Sequence, residues 1–459
     1  MRRVVALIAL VALGSALAYG WVVTRRERTY RAQIQAGEDA LARGELVAAI
    51  EAFSGAITLR GDSMVAYLRR GEAYRRRQEL DAALRDLRRA ADLDPAAPRP
   101  RELLGDVNLA LGRFASAAEQ FGESAALDDQ SPRVLYKLGL ARFRTGQHAA
   151  CIEAQRRSLA LDERFPEAHY LLGLCLREAQ KTDEALASLQ RSVALAPALL
   201  TAREELADLY GRLGRHEARL EQLEVLRALD PGPSREVALG LAYARLGDAE
   251  SAVTTLGRTA RRFPEHRDTY RALGRVWLDA AESRQDGAAL GKALAALRAA
   301  ARAEEDSEVL TQLGRALLLV PDAIEAEAML RRASEMKPVD PLAFFLLAEA
   351  AERRGRAAVA RQALLDYRAL AGEERDARRR AAMAARIADL SLRANDPSAA
   401  VGWYQRALSA GGADPDLLVR LAESQLRAGH RAAARATLDR ALQKDPEHAA
   451  GLALLRRLS

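Results

Sequence analysis

Gly71–Pro95 reads GEAYRRRQELDAALRDLRRAADLDP, and the fold of the whole chain follows from this stretch. Gly71 is a small residue at a point where two helices can approach closely, and Tyr74 lies three residues on, on the same helical face. A turn is expected near Gln78. Ala83, Leu87 and Ala90 then keep the i, i+4, i+7 spacing of a buried stripe. Pro95 stops the second helix because it has no N–H to donate and its ring clashes with the preceding turn. The stretch is a helical hairpin, and the hairpin recurs. Small residues fall at the equivalent point of the first helix at Gly37, Gly71, Gly105, Gly139 and Gly173, each 34 apart by subtraction. They continue at Ala207, Gly240, Gly274, Gly314, Ala348, Ala388 and Ala422. The second helix keeps step at Ala49, Ala83, Ala117, Cys151, Ala185, Ala252, Ala293, Ala326, Ala360, Ala400 and Ala434, and prolines close units at Pro95, Pro197, Pro231, Pro264, Pro338 and Pro446.

A period of 34 with small, aromatic, Ala and Pro positions in this order resembles the tetratricopeptide repeat. The resemblance covers nearly everything after the first thirty residues. It implies an all-α, right-handed superhelical solenoid of about twelve hairpins, over residues 30–446, that presents a concave groove to protein or peptide partners. Three departures stand out. Arg219 holds the small position of the sixth unit, with Ala218 beside it, so that hairpin is expected to be slightly rotated. Extra residues occur at Ala281–Gly287 and at Gly372–Ala381, GEERDARRRA, which stretch two spacings to 40 by subtraction (274 to 314, 348 to 388). Insertions in solenoids go into loops or lengthened helix ends.

With 459 residues the chain would suggest several domains, but a solenoid grows by stacking and needs no single centre. Ala, Leu, Arg and Glu dominate, aromatic residues make up 5%, and prolines gather at repeat ends, as helices require. The net charge of +7 raises nucleic acid and anionic lipid as partners. Nearly all of the positive charge is Arg and it is spread along the chain, so nucleic-acid binding is not expected. Cys151 and Cys175 make no metal motif. Each stands where a small buried residue belongs, so they read as core residues, with a disulfide between neighbouring hairpins as the other reading.

Val4–Val23 is twenty residues without a charge, flanked by Arg2 and Arg3 and by Arg25, Arg26 and Arg28, long enough to cross a bilayer as a helix. Residues 1–29 are therefore expected to be a membrane anchor of bacterial type, projecting as one helix. Ala16-Leu17-Ala18 also fits a cleaved signal peptide. Basic residues are nearly balanced across the span. A short basic tail usually stays in the cytoplasm, which would put the repeats outside the inner membrane. At the other end, Leu452, Leu454, Leu455 and Leu458 suit a helix over 447–459 that covers the last hairpin.

No HExxH, GxSxG, CxxC or GxGxxG occurs. GAALGKA, from Gly287, has three residues between its glycines where a phosphate loop needs four, and Ala293 stands where Ser or Thr would hold a metal. His148, His216, His266 and His430 lie at turns of different units and read as solvated. No enzyme activity, cofactor, metal or small-molecule substrate is expected. The repeat glycosyltransferases carry an appended catalytic domain, and none is recognised here.

The resemblance implies that repeat positions 2, 5, 9, 12 and 13 line the groove. On this chain the fourth and fifth units supply Tyr136, Leu140, Phe143, Tyr170 and Leu174, flanked by Arg133, Arg144 and Arg177. Other units offer mostly charge, such as Glu72, Glu102 and Asp106, and a later apolar spot is Leu342 with Phe345. Rings beside arginines make anchors for an apolar side chain next to an acidic one. Packing against neighbouring helices is the competing use of those rings. Chaperone-binding relatives clamp a carboxylate with paired Lys and Asn, whereas Ile34, Glu38, Leu68 and Glu72 stand at those positions here, so that clamp is not expected. The expected function is a membrane-anchored scaffold for protein partners in bacterial envelope assembly. A positioning subunit of an envelope enzyme complex, in polysaccharide or cytochrome biogenesis, is the second reading.

Overall fold

The computed structural model describes residues 2–320, 323–372 and 374–458, and every regular element among them is an α-helix. The chain divides into two compact units, Met1–Arg215 and His216–Ser459. The division falls at the turn of the sixth hairpin, the one in which Arg219 replaces a small residue.

The first unit holds α1 (Arg2–Ala42), α2 (Leu46–Leu59), α3 (Met64–Arg76), α4 (Leu80–Leu93), α5 (Pro98–Ala110), α6 (Phe114–Leu127), α7 (Pro132–Arg144), α8 (His148–Leu161), α9 (Pro166–Glu178), α10 (Thr182–Leu195) and α11 (Leu200–Arg212). The second holds α12 (His216–Leu229), α13 (Pro233–Arg245), α14 (Ala249–Arg262), α15 (Arg267–Arg284), α16 (Gly287–Ala303), α17 (Ser307–Leu318) and α18 (Ala323–Glu335). It continues with α19 (Pro341–Arg353), α20 (Ala357–Ala371), α21 (Ala377–Arg393), α22 (Pro397–Gly411), α23 (Pro415–Arg427), α24 (Arg431–Lys444) and α25 (Ala449–Leu458).

Local chemistry sets the helix ends. Pro98, Pro132, Pro166, Pro233, Pro341 and Pro415 open helices, where a missing N–H costs nothing. Ser63 and Ser131 cap α3 and α7 by accepting from Ala66 N and Val134 N. Tight turns inside hairpins need a left-handed residue, supplied by Gly146 (φ 75°) between α7 and α8 and by Gln78 (φ 66°) between α3 and α4.

The seam of each hairpin is a small residue facing a large one sixteen positions later. A Cβ added at Gly105 would stand 2.5 Å from the Phe121 ring, and one at Gly37 the same distance from Phe53. Leucines meet Gly71, Gly173, Gly240 and Gly314 in the same way. Where the chain inserts residues the partner moves but the contact survives, as Gly274 meets Leu297 at 2.5 Å. The extra residues around Ala281–Gly287 have become length, with α15 at 18 residues and α16 at 17. Gln155 takes the large position opposite Gly139; it is fully buried and donates from Nε2 to the Tyr136 carbonyl at 3.1 Å.

Cys151 on α8 and Cys175 on α9 form a disulfide, with Cα atoms 6.3 Å apart. Both side chains are also buried, so the core reading was right about place and incomplete about chemistry. His148 differs from the solvated turn residue expected of it: its ring packs edge-on against Phe143 at 5.8 Å.

The first helix runs unbroken from Arg2 through residue 29 to Ala42. Much of Val4–Val23 lies outside the residues whose side chains are described. Of its described members, Leu10, Leu13, Leu17, Tyr19 and Trp21 are exposed. Among the described residues no helix is long and apolar enough to cross a membrane. At the far end Leu454 and Leu458 of α25 are buried in a cluster with Leu418, Ala422 and Leu438 of the last hairpin.

Candidate functional site

Tyr136 and Tyr170 are the fifth residues of α7 and α9, and stacking of the two hairpins brings their phenols together. Both are half-buried. Burial first, then the Glu167 carboxylate and the Tyr170 phenol, raise the Tyr136 pKa above the usual tyrosine value. Burial likewise raises that of Tyr170, helped by Glu205 and opposed by the Thr201 hydroxyl and Arg177. Both phenols therefore stay protonated at neutral pH and can donate a hydrogen bond. Phe165, the N-cap of α9, packs on Tyr136 with ring centres 5.2 Å apart. The register of first-helix positions misses Phe165 because it stands in the link before α9; its only signal is an aromatic directly before the helix-opening Pro166.

The other expected members are placed unevenly. Leu140 is half-buried, while Leu174 is only 8% exposed and spends most of its surface on packing. Phe143 turns toward His148 at the hairpin's end. Arg144 lies over the Phe114 ring at 4.6 Å, away from the tyrosines. Arg133 is exposed. Arg142 keeps its seam place, donating to the Ala150 carbonyl at 3.2 Å, so α7 has not rotated to exchange it with Phe143. Arg177 stands beside Tyr170 and is already bonded to Glu205 and, at 2.8 Å, to Glu178. Burial would lower its pKa, and these two carboxylates more than offset that. The small aromatic surface that remains is Tyr136, Tyr170, Phe165 and Leu140, with Arg177–Glu205 as its neutral border.

Within each unit, charge on neighbouring first helices is largely paired. Arg69, Lys137, Arg386 and Arg420 each stand two residues before a seam residue, and each reaches a carboxylate on the preceding first helix. The partners are Glu38 (3.3 Å), Glu102 (2.8 Å), Glu352 (2.8 Å) and Asp389 (3.0 Å). Lys137 also holds Asp106 at 2.8 Å. Burial alone would raise the Glu102 pKa, but the bonds from Lys137 and Arg99 bring it below the ordinary glutamate value. Glu72 is buried between Arg69 and Arg76. Among the described residues no three His, Cys, Asp or Glu side chains gather closely enough to hold a metal ion.

Family models described as tetratricopeptide repeat match residues 68–133 and 311–374, 237–266, and 391–458. The chain is a tetratricopeptide repeat protein. A further model, described as anaphase-promoting complex, cyclosome, subunit 3, matches residues 115–192 of the repeat array. Among solved structures, the repeat protein is similar to YrrB, a repeat protein described as having an unusual peptide-binding site. The two share 22% identity over 40% of this chain and 96% of that one, with a TM-score of 0.37. It is similar to a tetratricopeptide repeat protein of Parabacteroides merdae at 18% identity, over 51% of this chain and 93% of that one, TM-score 0.41. It is also similar to a chain of the APC/C hetero-tetramer Cut9–Hcn1 at 14% identity, over 94% and 96%, TM-score 0.35.

Proposed function

We propose that this repeat protein is a non-enzymatic scaffold that binds a peptide segment of a partner protein across α7 and α9. The observation that carries the reading is the pair of half-buried, protonated tyrosines on successive first helices, in a chain otherwise poor in aromatics. An apolar side chain of the partner would pack between Tyr136 and Tyr170, and each phenol would donate to a peptide carbonyl. Because stacked hairpins preform the surface, the peptide orders mainly itself on binding, which limits the entropic cost. Arg177, neutralised by Glu205, would act as a polar border to the pocket, with no free charge to offer.

The reading extends to location. Val4–Val23, with its basic flanks, would hold the protein in a bacterial inner membrane with the repeats on the periplasmic side, where it would gather partners for envelope assembly. Support comes from the length and composition of that stretch and from the exposure of Leu10, Leu13, Leu17, Tyr19 and Trp21. The test is affinity capture from envelope extract with the intact chain and with Tyr170→Ala. The substitution should weaken capture of the bound partner by about 1–2 kcal/mol and leave helical content unchanged. Full capture with lower thermal stability would show that the rings serve only to pack the hairpins. Membrane fractionation of the chain with and without residues 1–29 tests the anchor, and mature protein beginning at Tyr19 would exclude it.

A further inference from the structure

The insertion at Gly372–Ala381 opens a cleft in the second unit. Its walls are the end of α20, the first turns of α21 and the outer side of α22, and its volume is about 1160 Å³. It is lined mainly by second-helix and insertion residues, so it differs from a surface made by first helices alone.

The lining is cationic and aromatic. Arg368 and Arg406 stack on Trp403, with guanidinium carbons 4.7 and 4.4 Å from the ring centre. Arg386 lies over Phe345 at 5.3 Å, and Tyr367 packs on the same ring at 5.5 Å. Two carboxylates of the loop are spent within it. Asp376 caps α21 by accepting from Arg379 N at 2.9 Å, and Glu374 accepts from Asp376 N at 3.2 Å. Arg380 is spent on the carbonyls of Glu374 and Arg375, and Arg386 on Glu352. Arg368 and Arg406 have no carboxylate partner among the described residues.

This geometry selects among anions. A guanidinium held over a ring can still offer an N–H edge, and that edge matches a carboxylate with two parallel hydrogen bonds. Two arginines lie over the Trp403 ring, where a nucleotide base would have to compete with them for stacking. The α21 N-terminus is closed to phosphate because Asp376 occupies it. The cleft exceeds the usual size of a small-molecule site, roughly 300–1,000 Å³. Met383, Phe345 and Tyr367 add apolar wall between the arginines.

We propose that this cleft binds an acidic peptide segment of a partner protein, with its carboxylates on Arg368 and Arg406 and a large apolar side chain against Met383 and Phe345. The site is independent of the Tyr136–Tyr170 surface. Trp403 reports on it directly: in the full chain carrying Trp21→Phe and Trp277→Phe it is the sole tryptophan. An octapeptide alternating Glu and Leu should change its emission saturably, and the affinity should fall several-fold between low and moderate salt. Arg368→Gln with Arg406→Gln should weaken binding at least tenfold, while Tyr170→Ala leaves it unchanged. Arg406 is exposed, so Arg406→Gln alone serves as a variant that keeps the fold, with a smaller loss of the same sign. The proposal is overturned if the peptide gives no saturable response, if an alternating Lys–Leu peptide binds as well, if ATP binds and the acidic peptide does not, or if the arginine variants keep full affinity.

Discussion

The Tyr136–Tyr170 surface and the Trp403 cleft are built from the same hairpin, yet they present opposite chemistry. In the first unit the 34-residue register holds without interruption. Basic residues of one first helix then fall opposite carboxylates of its neighbour, as Lys137 does with Glu102 and Asp106, and the face left over is aromatic and neutral. In the second unit six extra residues break the register between Ala348 and Ala388 (40 less 34). The first-helix pairing persists there, as Arg386 meets Glu352, but the inserted residues line a cleft in which Arg368 and Arg406 lie over Trp403. Regular stacking pairs charges along the first helices, and the insertion adds a separate cationic surface beside the second helices.

The comparison can be broken most sharply at the seams. Phe121 and Tyr404 are fully buried at equivalent positions of the two units, and each should cost about 3–5 kcal/mol when replaced by Ala. Denaturation followed at Trp403 should register Tyr404→Ala strongly. If Phe121→Ala shifts that probe equally, the two units unfold as one. Reducing the Cys151–Cys175 disulfide should cost about 3 kcal/mol by releasing a loop in the unfolded chain. The loss should appear in the first unit only, and thermal melts with and without reductant measure it. Gly105→Ala forces a methyl into the Phe121 ring and should cost about 1–3 kcal/mol, whereas Gly287→Ala, with open space at its Cβ, should cost nothing from overpacking.

The smallest effect separates the two surfaces by pH. Glu102 has a folded pKa below its unfolded value, so its contribution is present above about pH 4.3 and is lost as pH falls through the folded pKa. Lys137→Ala should flatten that acid dependence, at a cost of about 1 kcal/mol or less at neutral pH. At the cleft, acid should weaken peptide binding as the peptide's own carboxylates protonate.

Much of this architecture is legible in one dimension because each seam is local. A small residue and its large partner are sixteen residues apart, so the spacing of Gly71 and Leu87 carries the hairpin by itself. The candidate surface was legible in part. Tyr136 and Tyr170 share a register position on neighbouring first helices, near enough for the Tyr170 phenol to help raise the Tyr136 pKa. Leu174 is buried, Phe143 turns to His148, and Arg144 goes to Phe114, because each had a packing partner that helical spacing does not reveal. Phe165 was missed because links between repeats have no fixed register.

By itself the sequence determined the repeat, the helix ends and the buried stripe, since period, proline and serine caps and left-handed turn residues act over a few residues. Tertiary structure alone decided which charges are spent and which cysteine reading holds. Ion pairs such as Arg177–Glu205 and the Cys151–Cys175 bond join neighbouring hairpins, where distance depends on how the hairpins stack. The cleft at Trp403 belongs to the same class. GEERDARRRA showed that charge was added, and only the spacing of α20, α21 and α22 shows that this charge lines an open space.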